Sequence, residues 1–243
     1  MINGETSGQW RRGLRYTFGA ALLLLAAVAA SVGVQWYLSL IAFCAALMFI
    51  LGRRRVFRPG VTRAGDEIIC RYIPWYEGNV YVLNVLIPLL AVADIGAGSA
   101  SGNPAWLRFA GIILLVLTPL FVFSAVRMWR RCFLRISPSV LTIRLAGPED
   151  QLTEIRRECV VSIEPKIVPN GVSGQSLQVA IAYRAADLGN DATKTVLLGL
   201  QLTVQPVNLF NALAAWNNGV HDNPSELLDR IERILRGQSM AGV

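Results

Sequence analysis

Residues 107–135 read LRFAGIILLVLTPLFVFSAVRMWRRCFLR, and this stretch divides the chain into two kinds of polymer. Its apolar part is about 20 residues, enough at about 1.5 Å per residue to carry a helix across a hydrocarbon core of roughly 30 Å. Arg127, Arg130, Arg131 and Arg135 close it abruptly. Such a cluster resists translocation and marks the cytoplasmic end of a span, with Trp129 at headgroup depth where an amphipathic ring is comfortable. Residues on its N-terminal side read as membrane, and those on its C-terminal side read as a water-soluble domain.

The composition agrees with that division. Of 243 residues, 53% are hydrophobic and only 16% charged, and the apolar excess lies before residue 130. The formal charge is +7, with Lys166 and Lys194 the only lysines among 23 basic residues. Most arginines before residue 135 flank apolar runs, so the positive charge reads as topogenic and nucleic acid is not an expected partner. Cys44, Cys70, Cys132 and Cys159 have neither CxxC nor metal-knuckle spacing, so free thiols are expected, with no metal and no cofactor. His221 is the single histidine, which excludes HExxH chemistry and zinc sites built on paired imidazoles. There is no GxxxxGK[ST], and Gly171-Val172-Ser173-Gly174 is not a nucleophile elbow. The expectation is a protein that is not an enzyme.

Upstream, Arg11, Arg12 and Arg15 precede an apolar run at 16–34, and a second run comes at 36–51. The arginines resemble the start of a signal peptide, but a second run so close favours a helical hairpin turned at Gly33, Val34 and Gln35. Its small residues Gly19, Ala20, Ala26, Ala27 and Ala30 suit close helix packing. Arg53, Arg54, Arg55 and Arg58 end the hairpin on the cytoplasmic side. A third run, 81–97, contains Asn84, Pro88 and Asp94. Polar groups within a bilayer are candidates for a proton or ligand site, although Asp94 falls roughly 22 Å along the helix, near the outer interface where hydration is cheap. Residues 98–105 (GSASGNPA) form a polar outer turn. Arginine placement therefore predicts four transmembrane spans in the inner (cytoplasmic) membrane, with both termini cytoplasmic.

Between the second and third runs, residues 57–79 are aromatic-rich and include IICRYIPWYEGN. Tyr72, Trp75 and Tyr76 suit a docking or membrane-interface element, because each carries an apolar body and a polar tip. The plainer reading, and the preferred one, is a short strand covering the soluble domain, with an aromatic belt after it.

From residue 133 the apolar period changes to two. Strands are predicted around Ser137-Pro138-Ser139, then at 152–157, 160–168, 177–183 and 195–204, with Gly199 as a bulge. Residues 206–217 read as a helix with Val207, Phe210, Leu213, Ala214 and Trp216 on one side. A tail at 223–236 begins with cap chemistry and repeats Leu227, Leu228, Ile231, Ile234 and Leu235 at helical spacing. It could dock on its own domain or bind a partner helix through Leu227, Leu228 and Ile231.

The stretches FLRISPSVLTIRLAG, EIRRECVVSIEP, SLQVAIAY and PVNLFNALAAW resemble, in order and pattern, the bacterial pleckstrin-homology-like family, whose small domains are often fused to membrane spans. The resemblance implies seven strands in two near-orthogonal sheets with a C-terminal helix, and a binding or assembly role. The basic first hairpin of phosphoinositide-binding relatives is missing, since that loop is Ser137-Pro138-Ser139 and the next carries Glu149 and Asp150. Arg156 and Arg157 remain candidate lipid contacts.

The expected fold class is thus a four-helix membrane bundle plus a C-terminal all-β pleckstrin-homology-like barrel capped by a helix. Its divisions are an arm at 1–15, a transmembrane domain at 16–131 with a cytoplasmic loop at 52–79, the barrel at 132–218 and an amphipathic tail at 219–243. The expected role is a non-enzymatic accessory or assembly protein whose partners are membrane lipids and another membrane protein or complex. The alternatives are a component or regulator of a cell-envelope lipid transport system of the kind that small actinobacterial membrane proteins accompany, and a lipid-sensing module at the membrane surface.

Overall fold

The computed structural model describes residues 4–51, 56–146, 152–170, 174–184, 193–199, 201–219 and 222–238. Arg53, Arg54 and Arg55, the turn with Glu149 and Asp150, the 185–192 loop and His221 lie outside them. The chain divides into a helical unit, Met1–Arg55 with Gly78–Ala125, and a β unit, Val56–Glu77 with Val126–Val243.

The helical unit contains α1 (Gly4–Ser31), α2 (Trp36–Leu51), α3 (Gly78–Ser99) and most of α4 (Trp106–Arg131). Apolar composition drives all four, but the helices meet through small residues. Ala91, Ala93 and Ala97 are buried on α3, and Gly111 lies so close that a Cβ there would be 2.5 Å from the Ala91 carbonyl oxygen. Gly19 of α1 approaches Ile50 of α2 in the same way, Ala26 is buried, and Ala20, Ala27 and Ala30 face outward. Lipid tails are as apolar as leucine, so helices in a bilayer gain by backbone approach and close packing rather than by hiding large side chains. At the turn between α3 and α4, the Asn103 side-chain amide donates to the Ala97 carbonyl at 2.9 Å and to the Tyr37 hydroxyl at 3.1 Å. Pro88 cannot donate to an upstream carbonyl, and the preceding turn, Val82–Leu86, is π-helical, with the Ile87 N–H reaching back to the Val82 oxygen.

In the β unit, β1 (Val61–Ala64) and β2 (Glu67–Arg71) form a hairpin whose two-residue turn starts at Gly65, with φ of +60°. That backbone angle suits glycine and the twist of a tight hairpin. Next in space come β3 (Phe133–Ile136), β4 (Val140–Arg144) and β5 (Leu152–Arg156), giving an antiparallel sheet in the order β1-β2-β3-β4-β5. Cys70 faces Leu134, Ile68 faces Ile136, Leu134 faces Ile143, and Leu141 faces both Ile136 and Ile155. All of these are buried, so one side of the pleat is a continuous apolar row. A second antiparallel sheet, β6 (Val160–Asn170), β7 (Gly174–Arg184) and β8 (Thr193–Leu198), buries Val179, Ile181 and Leu198.

Helix α5 (Pro206–Asn218) buries Leu209, Ala212, Leu213 and Trp216 in the same core. The Trp216 indole N–H donates to the Ser137 carbonyl at 2.7 Å, which satisfies the polar edge of a fully buried ring. Helix α6 (Pro224–Leu235) is capped by Asn223, whose side chain accepts from the Ser225 N–H, and it buries Leu227, Leu228, Ile231 and Leu235. Arg63 of β1 pairs with Asp229 and Glu232 on its outer face.

The predicted fold class needs correction on three points. Among the described residues two helices, Gly78–Ser99 and Trp106–Arg131, are long and apolar enough to cross a membrane, where four were expected. The apolar helices Tyr16–Ser31 and Trp36–Leu51 are shorter; α2, with 16 residues, extends about 24 Å. The second run and its helix share the bounds 36–51, and the chain turns at Gly33, with φ of +77°, as expected; what these two apolar helices lack is the length of a span. Secondly, the strands form two separate sheets rather than a closed barrel. Thirdly, the β structure is not confined to the C-terminal part, because β1 and β2 precede both long helices. The strand expected at 195–204 also ends at Leu198, after which Leu202, Thr203 and Val204 run buried as irregular chain.

Candidate membrane-interface site

Strands β2 and β3 are hydrogen-bonded neighbours, yet 61 residues separate Arg71 from Phe133, and α3 and α4 occupy that interval. The two long helices therefore leave from and return to adjacent strands of one sheet. Around this point the β unit gathers residues 56–60, 71–77, 126–132 and 201–203.

Thr203 is the fastener. Its side-chain oxygen accepts from the Ile73 N–H at 2.8 Å and donates to the Ile73 carbonyl at 3.3 Å. Its own carbonyl accepts from the Gly60 N–H at 2.7 Å, and the Gly60 carbonyl accepts from the Arg71 N–H at 2.8 Å. A Cβ on Gly60 would be 2.4 Å from the Arg71 carbonyl oxygen, so only glycine permits this crossing. Nearby, the Gln201 side-chain oxygen accepts from the Ala146 N–H at 2.9 Å and lies 3.4 Å from the Cys132 sulfur. The Tyr72 N–H donates to the Cys132 carbonyl, and the Phe57 N–H donates to the Tyr76 carbonyl. These bonds satisfy backbone groups that irregular buried chain would otherwise leave unpaired.

The outward side of the junction is aromatic and cationic. Trp75 and Trp129 meet edge to face, with ring centroids 6.2 Å apart and planes at 69°. Both are exposed, Trp75 at 60% and Trp129 at 46%. The Arg58 guanidinium lies 5.6 Å from the Tyr76 ring centroid, within cation–π range. Arg58 and Arg130 are exposed, whereas Arg127 and Arg131 are half-buried. Glu77 is buried at 3% exposure.

The other residues singled out in the sequence have different places. Tyr72 is buried, so Trp75 is the one of its group that reaches the surface most fully. Leu227, Leu228 and Ile231 lie in the core and do not present a partner-binding stripe, since α6 spends its apolar face on its own unit. Arg157 donates from Nη1 to the Gly219 carbonyl at 3.1 Å, and its guanidinium lies 4.9 Å from the Trp216 ring centroid. Burial pushes its pKa down and Asp222 opposes that, which is the pattern of a cation holding the end of α5. Arg156 is exposed and 3.8 Å from an equally exposed Glu158. Asn84 donates to the Val80 carbonyl at 3.0 Å within its own helix. Asp94 is ten residues further on, about 15 Å along the axis, so the two do not form one site. The four cysteines are free, and burial raises the Cys70 thiol to about 12.

Sequence reasoning missed Gly60, Gln201 and Thr203. Of the junction, only the β1–β2 hairpin left a local mark, Ala64-Gly65-Asp66-Glu67 between alternating residues. No family model, curated protein or solved structure matches the chain.

Proposed function

We propose that this chain is a non-catalytic accessory or assembly subunit of the cytoplasmic membrane. In this reading α3 and α4 cross the bilayer as a hairpin and hold the β unit at the cytoplasmic face, near a membrane partner. The observation that carries it is the pairing of β2 with β3 across two apolar helices of 22 and 26 residues. Neighbouring strands require both helices to open on the same side. Arg58, Arg127, Arg130 and Arg131 collect there, while the 100–105 turn has no basic residue, and that asymmetry supports a cytoplasmic β unit. A pleckstrin-homology-like identity for the β unit draws support from two antiparallel sheets and a succeeding helix with a buried tryptophan.

A structural role is also favoured by how several polar side chains are used. Thr203, Gln201 and Asn103 spend their hydrogen bonds on backbone and neighbouring groups. Tethering would act by raising the local concentration of the β unit around a partner in the same plane. Reporter fusions at residue 102 and after Val243 test the topology, with activity outside the cell expected at the first and only inside at the second. Purification in mild detergent tests the role: one stoichiometric partner is expected, and a chain recovered alone from intact membranes would contradict it.

A further inference from the structure

Two tryptophans side by side at the surface are costly unless something covers them, since large aromatic rings dominate the apolar area a protein normally hides. Trp75 precedes Gly78, the first residue of α3, by three positions, and Trp129 lies three positions after Val126, the last residue of the apolar run. Along a helix three residues amount to about 4.5 Å, so each ring lies at the margin of a membrane-length segment. Phe57, 53% exposed, adjoins them through its bond to Tyr76. Charge points the same way. Residues 56–60, 71–77 and 126–132 contain Arg58, Arg71, Arg127, Arg130 and Arg131, and their one acidic residue, Glu77, is buried.

We propose that Trp75, Trp129 and Tyr76, with Arg58 and Arg130, form a seat for the headgroup of an anionic lipid of the cytoplasmic leaflet. This deepens the reading above and rests on it. The indole rings take the glycerol and upper acyl region, where one apolar body and one N–H are both satisfied. The arginines take the phosphodiester, for which a planar guanidinium is better suited than a lysine ammonium. A net negative headgroup is favoured over a zwitterionic one, because nothing exposed in these three segments is acidic. The seat ties the β unit to the leaflet and makes that attachment depend on lipid charge.

Native mass spectrometry of the full chain in mild detergent, titrated with phosphatidylglycerol and separately with phosphatidylcholine of the same acyl chains, reads the seat. Phosphatidylglycerol is expected to be retained more tightly, and each of Arg58→Gln and Arg130→Gln should weaken that preference about fivefold. Trp75→Ala should weaken retention of both lipids while circular dichroism stays unchanged. Equal retention of the two lipids by the wild-type chain overturns the inference, as does an undiminished preference in either arginine variant or undiminished retention of both lipids by Trp75→Ala. Alkaline carbonate extraction of membranes separates the two failures. A chain released by carbonate overturns the membrane reading and the seat together; a chain that resists release but shows no lipid preference overturns the seat alone.

Discussion

In the helical unit close approaches are made at residues with almost no side chain, Gly19, Ala91 and Gly111, whereas in the β unit the largest fully buried side chain is that of Trp216. The contrast arises from the surroundings each surface would otherwise touch. Large side chains in the β unit are driven inward by water, and a fully buried one brings in about 1.5–3 kcal/mol. On α4, long and apolar enough to cross a membrane, Phe109, Val116 and Phe123 are more than 60% exposed while a glycine makes the contact, the pattern that apolar surroundings would favour. One chain thus carries two packing rules, and they change over within α4.

Substitutions sharpen that contrast. The largest effect is expected from Trp216→Ala, which removes the core of the β unit and orphans the Ser137 carbonyl; it should cost about 3–5 kcal/mol in denaturant unfolding. Gly111→Leu tests the other rule. It drives a side chain into the Ala91 carbonyl and Ile95, and should cost about 1–3 kcal/mol in the helical unit while hydrogen exchange in β3 and β4 is unchanged. If it unfolds the β unit as well, the two units do not obey separate rules. Thr203→Val keeps shape but leaves the Ile73 N–H and carbonyl without their partner, for about 1–3 kcal/mol by the same denaturant measurement.

A smaller, pH-dependent effect is expected at Cys70. Its folded-state pKa is raised from 9.0 to about 12 by burial, so the folded chain keeps a proton that the unfolded chain loses. Stability is then full below pH 9.0 and falls as pH rises toward about 12. Cys70→Ala should flatten that decline in alkaline melts, at some cost in packing near neutral pH. Smallest of all, Trp75→Phe should change stability by no more than about 0.5 kcal/mol, because its ring faces outward.

How much of this was legible depends on the range of the interaction that decides it. The alternation at 133–145 and the apolar spacing at 206–217 are local, and β3, β4 and α5 form there. The apolar stripe of the tail is equally plain, but Leu227 and Ile231 give no hint whether the cover is a partner or the same chain. A strand of the soluble domain was legible in the alternation before Tyr72, and β2 forms there, yet nothing near Ile68 announces Ile136 as its neighbour. Thr203 and Gly60 are further still, since a backbone crossing leaves no periodicity. The short helices failed differently: the turn at Gly33 and the bounds of the second run were readable, but runs too short to cross a bilayer were counted as spans. At the interface site Trp129 was placed at headgroup depth from its arginine neighbours, but its meeting with Trp75 needed the β2–β3 pairing.

The central claim is that one folded unit is split in sequence by the α3–α4 hairpin. It is tested by replacing residues 78–125 with a short Gly-Ser linker from Glu77 to Val126, since the two flanking segments already meet where Arg71 pairs with Phe133 and the Tyr72 N–H bonds the Cys132 carbonyl. Urea unfolding monitored by tryptophan fluorescence should show a cooperative transition for the joined chain, and none for residues 126–243 alone, which lack β1, β2 and the partners of Thr203. A transition of equal midpoint in residues 126–243 alone would contradict the account.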